Sequence, residues 1–326
     1  MRYVAYDANG GPDVLHVAQT DAPQPREGEV QIAVEAAGVS RADVLQRKGL
    51  YPPPAGASHI LGLDVAGNIA ALGAGVTSWS VGARVCALVS GGGYAEYVCT
   101  PAGQVLPVPD RWNAIEAATL PENGFTVFDN MVSRARLQAG ETVLVHGGTS
   151  GIGSTAIMFA RALGAGAIAT AGGAQKCEAC TRIGAVAAID YRTQDFVTEA
   201  LALTDGVGVN VVVDIVCGPY VPRDIAALAL DGRIACIATQ GGATAELDVA
   251  ALMRKRGTIF GTSLRPRTLQ EKKAIADGLH ERIWPLLPAR DVIRPLVDRV
   301  YTFEEAAEAH QRMEASAHVG KIVLVP

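Results

Sequence analysis

ETVLVHGGTSGIG, spanning Glu141–Gly153, joins three local signals in one short stretch. Thr142–His146 is a β-branched apolar run of strand length, the pattern of a strand buried in a parallel sheet. A turn rich in glycine follows, Gly147-Gly148-Thr149-Ser150-Gly151-Ile152-Gly153, and then a helical stretch over Ser154–Leu163. Strand, glycine turn and helix in that order aim the N–H groups of a helix N-terminus at a pyrophosphate. Glycine serves where φ is positive, where backbone approaches phosphate and where helix packs on strand. The stretch therefore predicts dinucleotide binding.

Downstream the same texture repeats. Further strands are predicted at Ala167–Ala171, Ala187–Asp190, Val209–Val216, Arg233–Ala238 and Thr258–Ser263, separated by helices at Gln175–Ile183, Asp195–Leu203, Tyr220–Leu230 and Leu247–Lys255. Six strands joined by helical crossovers predict an α/β fold with a doubly wound parallel sheet. Upstream, residues 1–122 carry strand runs at Arg2–Tyr6, Leu15–Gln19, Glu29–Ala37, Val65–Leu72, Arg84–Val89 and Ala95–Thr100. Turns of Gly, Pro and Asp punctuate them, a short helix is expected over Arg41–Lys48, and Tyr51-Pro52-Pro53-Pro54 sets a rigid extended loop. The tail holds a helix Leu269–Leu279, a Pro-rich linker Pro285–Pro288, a helix Glu304–Ala315 and a strand Lys321–Val325. It is expected to return to the first domain. The expected division is a discontinuous β-rich domain, 1–124 with 268–326, around a nucleotide domain, 125–267, its second boundary between 265 and 285. The nicotinamide end is expected in the cleft between the domains.

The chain has 326 residues, 49% of them hydrophobic, and a net charge of −5 with both signs scattered. No basic patch points to nucleic acid or an anionic membrane surface. No run approaches the ~18 apolar residues of a membrane span, and MRYVAYDANGG lacks the pattern of a secretory signal. A cytoplasmic protein is expected. The six cysteines lie mostly in strand-like runs, as buried free thiols do in a reducing compartment. Cys177 and Cys180 form a C-x-x-C, but no second pair or His pair completes a zinc set, and a structural role is expected.

A sheet that binds NAD places a carboxylate about 20 residues past the first glycine, on the adenosine ribose 2′-hydroxyl. Here the strand Ala167–Ala171 runs into Gly172-Gly173-Ala174-Gln175-Lys176, with no acid. Glycine leaves room for a 2′-phosphate, Lys176 supplies counter-charge and Tyr191 can cover the phosphate or the adenine. NADPH is the expected cofactor.

Ala36–Tyr51 (AAGVSRADVLQRKGLY), Ile60–Gly67 (ILGLDVAG), Thr142–Gly153, Lys176, Tyr191 and Gly320–Val325 (GKIVLV) occur in an order and spacing that span the chain. On these, the chain resembles the medium-chain dehydrogenase/reductase superfamily, and within it the zinc-free quinone oxidoreductase branch of zeta-crystallin-like enzymes. The resemblance implies a Rossmann-type six-stranded domain beside a GroES-like catalytic domain, hydride transfer from NADPH to a quinone, and a homodimer through the edge strand Thr258–Leu264. It implies that Thr126 opens the first helix of the nucleotide domain and reaches the nicotinamide side. Ser150, Gly151 and Ile152 meet the pyrophosphate, Lys176 and Tyr191 the 2′-phosphate end. Thr239, Gln240, Gly241, Ser263 and Leu264, each set ending a strand, border the nicotinamide half, and Lys321 approaches the cofactor from the returning domain.

Zinc enzymes of the superfamily carry a Cys near position 40, a Gly-His-Glu and a cysteine-rich lobe. This chain has Ser40 and Gly62-Leu63-Asp64, without soft ligands, so no metal is expected. Ser40 stands where the family usually has Asn lining the substrate cleft, and the A-x-x-G-x-x-G fingerprint reads Gly147-x-x-Ser150-x-x-Gly153. Tyr51 is the polar candidate beside the acceptor, able to donate to a developing oxyanion or simply to pack. The short-chain dehydrogenase alternative fails because none of the eight tyrosines has Lys four residues on. Two alternatives stand: an enone or 2-enoyl-thioester reductase of the same fold, and an NADPH-binding structural or nucleic-acid-binding protein with little turnover.

Overall fold

The computed structural model describes residues 1–287 and 292–326, which form two compact units. The first comprises Met1–Phe125, the segment beginning at Arg265, and Pro295–Pro326; the second comprises Thr126–Leu264 and residues 292–294.

The first unit opens on an antiparallel hairpin, β1 (Arg2–Ala5) and β2 (His16–Gln19). There follow β3 (Glu29–Val39), α1 (Arg41–Arg47), β4 (Asp64–Leu72), β5 (Arg84–Leu88), β6 (Tyr97–Pro101), β7 (Val105–Pro107) and one turn of helix, α2 (Ala114–Ala117). β3 is the spine, antiparallel to both β4 and β6. Val30, Ile32 and Val34 point from it into the core, the period-two pattern of a sheet face. α3 (Pro121–Val127) crosses the division between the units and starts on a proline, whose fixed φ suits a first helical turn.

In the second unit, in chain order, lie β8 (Thr142–His146), α4 (Gly151–Ala162), β9 (Gly166–Ala171), α5 (Ala174–Ile183), β10 (Ala187–Asp190), α6 (Phe196–Ala202), β11 (Val209–Asp214), α7 (Tyr220–Ala227), β12 (Leu228–Cys236), α8 (Val249–Lys255) and β13 (Thr258–Gly261). Its six strands are all parallel, in the order β10-β9-β8-β11-β12-β13. The order reverses at β8, so the glycine turn after β8 lies at the switch point where such sheets bind ligands. This is the expected α/β fold: a six-stranded parallel sheet and a separate β-rich unit.

The chain then runs through α9 (Leu269–Arg282), β14 (Val297–Thr302), α10 (Ala306–Glu314) and β15 (Lys321–Val325). β15 joins the first unit's sheet, parallel to β14 and antiparallel to β3, giving the order β14-β15-β3-β4-β5-β7 with β6 also paired to β3.

Several local expectations need correction. The helix expected over Tyr220–Leu230 stops at Ala227, because Leu228 pairs with Val209 and begins β12; tertiary pairing overrides the apolar helical pattern. The strands expected to reach Val216, Ala238 and Ser263 end at Asp214, Cys236 and Gly261. Thr126 lies near the end of its helix rather than opening it, since Pro121 sets the start. β14 was not expected: Asp298 and Arg299 break its apolar pattern, as an edge strand permits. Phe128–Arg134 is π-helical, with Ala135 N–H donating to Asn130 O at 2.9 Å and Arg134 Nε to Asp129 Oδ2 at 3.2 Å, both five residues apart. The Pro285–Pro288 linker starts as a 3-10 turn, Trp284–Leu286; Pro288 lies outside the described residues.

Candidate functional site

The turn after β8 has a geometry only glycine satisfies. Gly147 has φ +69°, and a Cβ on Gly153 would stand 2.2 Å from Gly147 O. A Cβ on Gly148 would meet Cys180 Sγ at 2.7 Å. Cys180 of the C-x-x-C therefore packs beneath the turn from α5. Burial pushes its thiol up to about 12 and raises that of Cys177 too, so neither is poised as a thiolate. Ser150 is the N-cap of α4, its Oγ accepting from Gly153 N–H at 2.9 Å. The hydroxyl keeps its proton to donate, and the first-turn amides of Gly151 and Ile152 have no carbonyl one turn back. Such N–H and O–H donors are the kind that an anion takes.

At the end of β9, a Cβ on Gly172 would lie 2.6 Å from Tyr191 Oη and 3.1 Å from Arg192 Nε. Tyr191 and Arg192 thus close over the acid-free glycines, 46% of Tyr191 remaining exposed. Asp190 accepts from the N–H groups of Gly173 at 2.9 Å and Arg192 at 3.1 Å, which sets this corner. Lys176 lies half-buried in the first turn of α5. Arg192 is a residue that the sequence reading missed; its signal was a cation directly after Tyr191.

In the first unit, Ser40 caps α1 and Asp64 begins β4. Lys321, at the start of β15, donates to Ser40 Oγ at 2.8 Å and pairs with Asp64 Oδ2 at 2.7 Å, with Glu122 Oε2 at 3.8 Å. Burial favours the neutral amine, but Asp64 and Glu122 outweigh it and hold the Lys321 pKa above its usual value. Asp64 also accepts from Glu122 N–H. Against the Cys and the Gly-His-Glu of the superfamily's zinc enzymes, the chain thus sets a hydroxyl at Ser40, an apolar Leu63 at the His position and a carboxylate at Asp64, with Ser40 and Asp64 already bonded to an ammonium. That donor set does not fit a catalytic zinc. It also directs the Lys321 ammonium to Ser40 and Asp64.

Ser40 is held from behind. Its N–H donates to Asp43 Oδ2 at 2.7 Å, Gly62 N–H donates to Asp43 Oδ1 at 3.0 Å, and Tyr94 Oη donates to Asp43 Oδ2 at 3.2 Å. Burial pushes the Asp43 carboxyl up to about 6. Tyr94 Oη also lies 3.2 Å from His310 Nε2, and burial, with Arg47 beside it, lowers His310 to about 3.

Tyr51 lies half-buried at the start of its Pro loop. The Arg265 guanidinium stands 5.2 Å from its ring centre and donates to Tyr51 O at 3.3 Å, to Gln46 Oε1 at 2.6 Å and to Ser90 O at 3.1 Å. Lys272 Nζ donates to Ser90 Oγ at 3.1 Å and Arg265 O at 3.0 Å. Burial lowers the pKa of both cations. The sequence reading missed this pair, because basic residues in a loop and a helix read as solvated. Thr126 is buried in α3, with its carbonyl accepting from Asn130 Nδ2 at 2.9 Å. Thr239, Gln240 and Gly241 follow the end of β12, Gln240 and Gly241 exposed, with Gly241 N–H donating to Val216 O at 2.7 Å. Ser263 and Leu264 follow β13 by two and three residues.

Residues 26–110 match the model of the alcohol dehydrogenase GroES-like domain, and residues 183–324 that of a zinc-binding dehydrogenase. The chain is 29% identical to the quinone oxidoreductase of Rattus norvegicus, over 100% of this chain and 98% of that protein. It is 32% identical to a phenolphthiocerol/phthiocerol polyketide synthase component of Mycobacterium tuberculosis, over 98% of this chain but only 14% of that much longer protein. Among solved structures it is similar to mycobacterial Rv1454c complexed with NADPH, with a TM-score of 0.87 and 31% identity over 100% of both chains. It is likewise similar to CurK enoyl reductase, with a TM-score of 0.86 and 28% identity over 99% of this chain and 98% of that one.

Proposed function

The chain belongs to the medium-chain dehydrogenase/reductase superfamily, and from that premise we propose that it reduces quinones with NADPH and without a metal. It is an oxidoreductase of that superfamily, and a nicotinamide cofactor follows from the relatives and the fold. The observation that carries the finer reading is the Lys321 ammonium bonded to Ser40 and Asp64. With those positions committed, hydride acceptance has to rely on an acceptor activated without zinc, and a quinone is one.

In this reading Ser150, Gly151 and Ile152 hold the pyrophosphate, and Lys176, Tyr191 and Arg192 surround the 2′-phosphate. Thr126, Thr239, Gln240, Ser263 and Leu264 serve the nicotinamide half, with Lys321 acting through Ser40. The cofactor, when bound, supplies a hydride from the nicotinamide C4. The chain's own task is orientation and exclusion of water. Tyr51 donates to the oxygen of the acceptor as charge develops on it, and Arg265 keeps the ring and its loop in place. Quinols are acidic enough for solvent to complete protonation. We place the enzyme in the cytoplasm as a homodimer paired through β13, whose outer edge is unpaired among the described strands.

Initial rates with NADPH and NADH, each against 1,2-naphthoquinone and a 2-enoyl thioester, test the reading. Quinone-dependent oxidation with a higher kcat/KM for NADPH is expected, and Tyr51→Phe should lower it. Turnover of the thioester alone would favour the second reading, which the likeness to CurK enoyl reductase supports. Equal kcat/KM for the two cofactors would remove the NADPH assignment.

A further inference from the structure

We propose that the second unit contains a site for one thiophilic divalent cation of the zinc class, built from Cys217, Cys236 and Asp214 at the carboxyl ends of β11 and β12, with Asp224 of α7 beside Asp214. The site uses none of the residues given roles in the reaction proposed above.

The parallel register sets Asp214 directly opposite Cys236. A tight turn then brings Cys217 back onto them: Asp214 Oδ1 accepts from Val216 N–H at 2.7 Å and Cys217 N–H at 3.0 Å. Cys217 takes φ +54°, a left-handed conformation unfavourable to a residue with a side chain, while glycine stands next to it at Gly218. That turn brings its thiol close to that of Cys236. One carboxylate oxygen of Asp214 and the two Sγ atoms all lie within 4.8 Å of one another.

A second trio, His146, Asp214 and Asp224, meets the same limit and shares Asp214. All three are fully buried. His146 Nε2 lies 2.8 Å from Asp224 Oδ1, its Nδ1 lies 3.0 Å from Thr170 Oγ1, and the rings of Phe196 and Tyr220 wall it in. Asp224 Oδ2 has no hydrogen-bond partner among the described residues. Two carboxylates lie in a dry interior, one with a bare oxygen, and among the described residues neither is bonded to a Lys or Arg. Asp214 accepts from the backbone N–H groups of Val216 and Cys217 and Asp224 meets His146, and a dication would supply the counter-charge that this pair of carboxylates lacks. Two sulfurs select a soft ion over magnesium or calcium. Around a tetrahedral zinc with bonds of roughly 2.0–2.3 Å the ligand atoms stand about 3.3–3.8 Å apart, so the Asp214, Cys217 and Cys236 trio need close by no more than about 1.5 Å. Binding releases the two thiol protons to solvent. His146 positions Asp224 through its Nε2.

The reduced, chelator-treated full chain is titrated with Co2+ and then Zn2+. One retained equivalent with a thiolate-to-cobalt charge-transfer band, abolished by Zn2+, is expected. Cys217→Ser and Cys236→Ser should lose the band, Cys99→Ser in the first unit should keep it, and His146→Asn should weaken binding about tenfold. In the wild-type chain Cd2+ should protect Cys217 and Cys236 from alkylation, a readout that needs no variant to fold. Absence of retained metal, a band that survives both cysteine variants, or a Cys217–Cys236 disulfide that forms in place of metal binding would overturn the site. None of these outcomes depends on quinone turnover.

Discussion

Tyr94 stands between two buried groups displaced in opposite directions, Asp43 upward to about 6 and His310 downward to about 3. A lowered His310 leaves the unfolded chain binding a proton that the folded chain refuses, so this group's contribution falls as pH drops from about 6.5 toward 3. A raised Asp43 does the reverse: its contribution falls as pH rises from about 3.8 to 6. Between pH 4 and 6 the two slopes, each at most about 1.4 kcal/mol per unit, oppose each other. His310→Gln should remove one, so that urea unfolding of the variant gains stability relative to wild type on acidification through this range. At the other end of the chemistry, Arg192→Ala should raise KM for NADPH about tenfold and leave NADH nearly unchanged, the loss of one charge-assisted bond. Residue identity showed the missing acid, Ser150 and Ser40. Arg192 was overlooked although it directly follows Tyr191, whereas Arg265 and the closeness of Asp214 to Asp224 could not be seen, because their partners lie far along the chain or on neighbouring elements.

Elements were legible where one pattern acted alone. Thr142–His146 and Lys321–Val325 fall where their apolar runs begin and end, since buried interior strands carry little else, and Ala187–Asp190 does so too although it is a half-buried edge strand. Legibility failed where partners decide. Leu228–Leu230 became strand by pairing, β14 hides behind charged edge positions, and the π-helical turn follows an i, i+3, i+4 pattern of Phe128, Met131 and Val132 that an α-helix would share. The edge β13 carries the expectation of dimerisation. Thr258 is exposed there, and Thr258→Lys would set like charges near a two-fold axis. The light-scattering mass should drop to that of one chain, with thermal unfolding of the monomeric unit moved by no more than about 0.5 kcal/mol. A wild-type mass of one chain would contradict the dimer itself.

At the scale of the whole chain, the second unit is almost one continuous stretch, whereas the first is assembled from distant segments. β15 lies between β14 and β3, so it is an interior strand of a sheet whose first member in sequence starts at Glu29. Deleting Lys321–Val325 removes the interior strand and the Lys321 ammonium that neutralises Asp64. An uncompensated buried carboxylate alone costs about 3–5 kcal/mol. The truncated chain should lose soluble expression, and limited proteolysis should digest the first unit while residues 126–264 resist. The same threading orders events during synthesis. A ribosome releases residues 126–264 while β3, already flanked by β4 and β6, still lacks β15 along Ala37–Val39, so the second unit can fold first. The earlier-made segment meanwhile waits with an open strand edge until Val325 emerges, and over that interval a chaperone or a second nascent copy can compete for it.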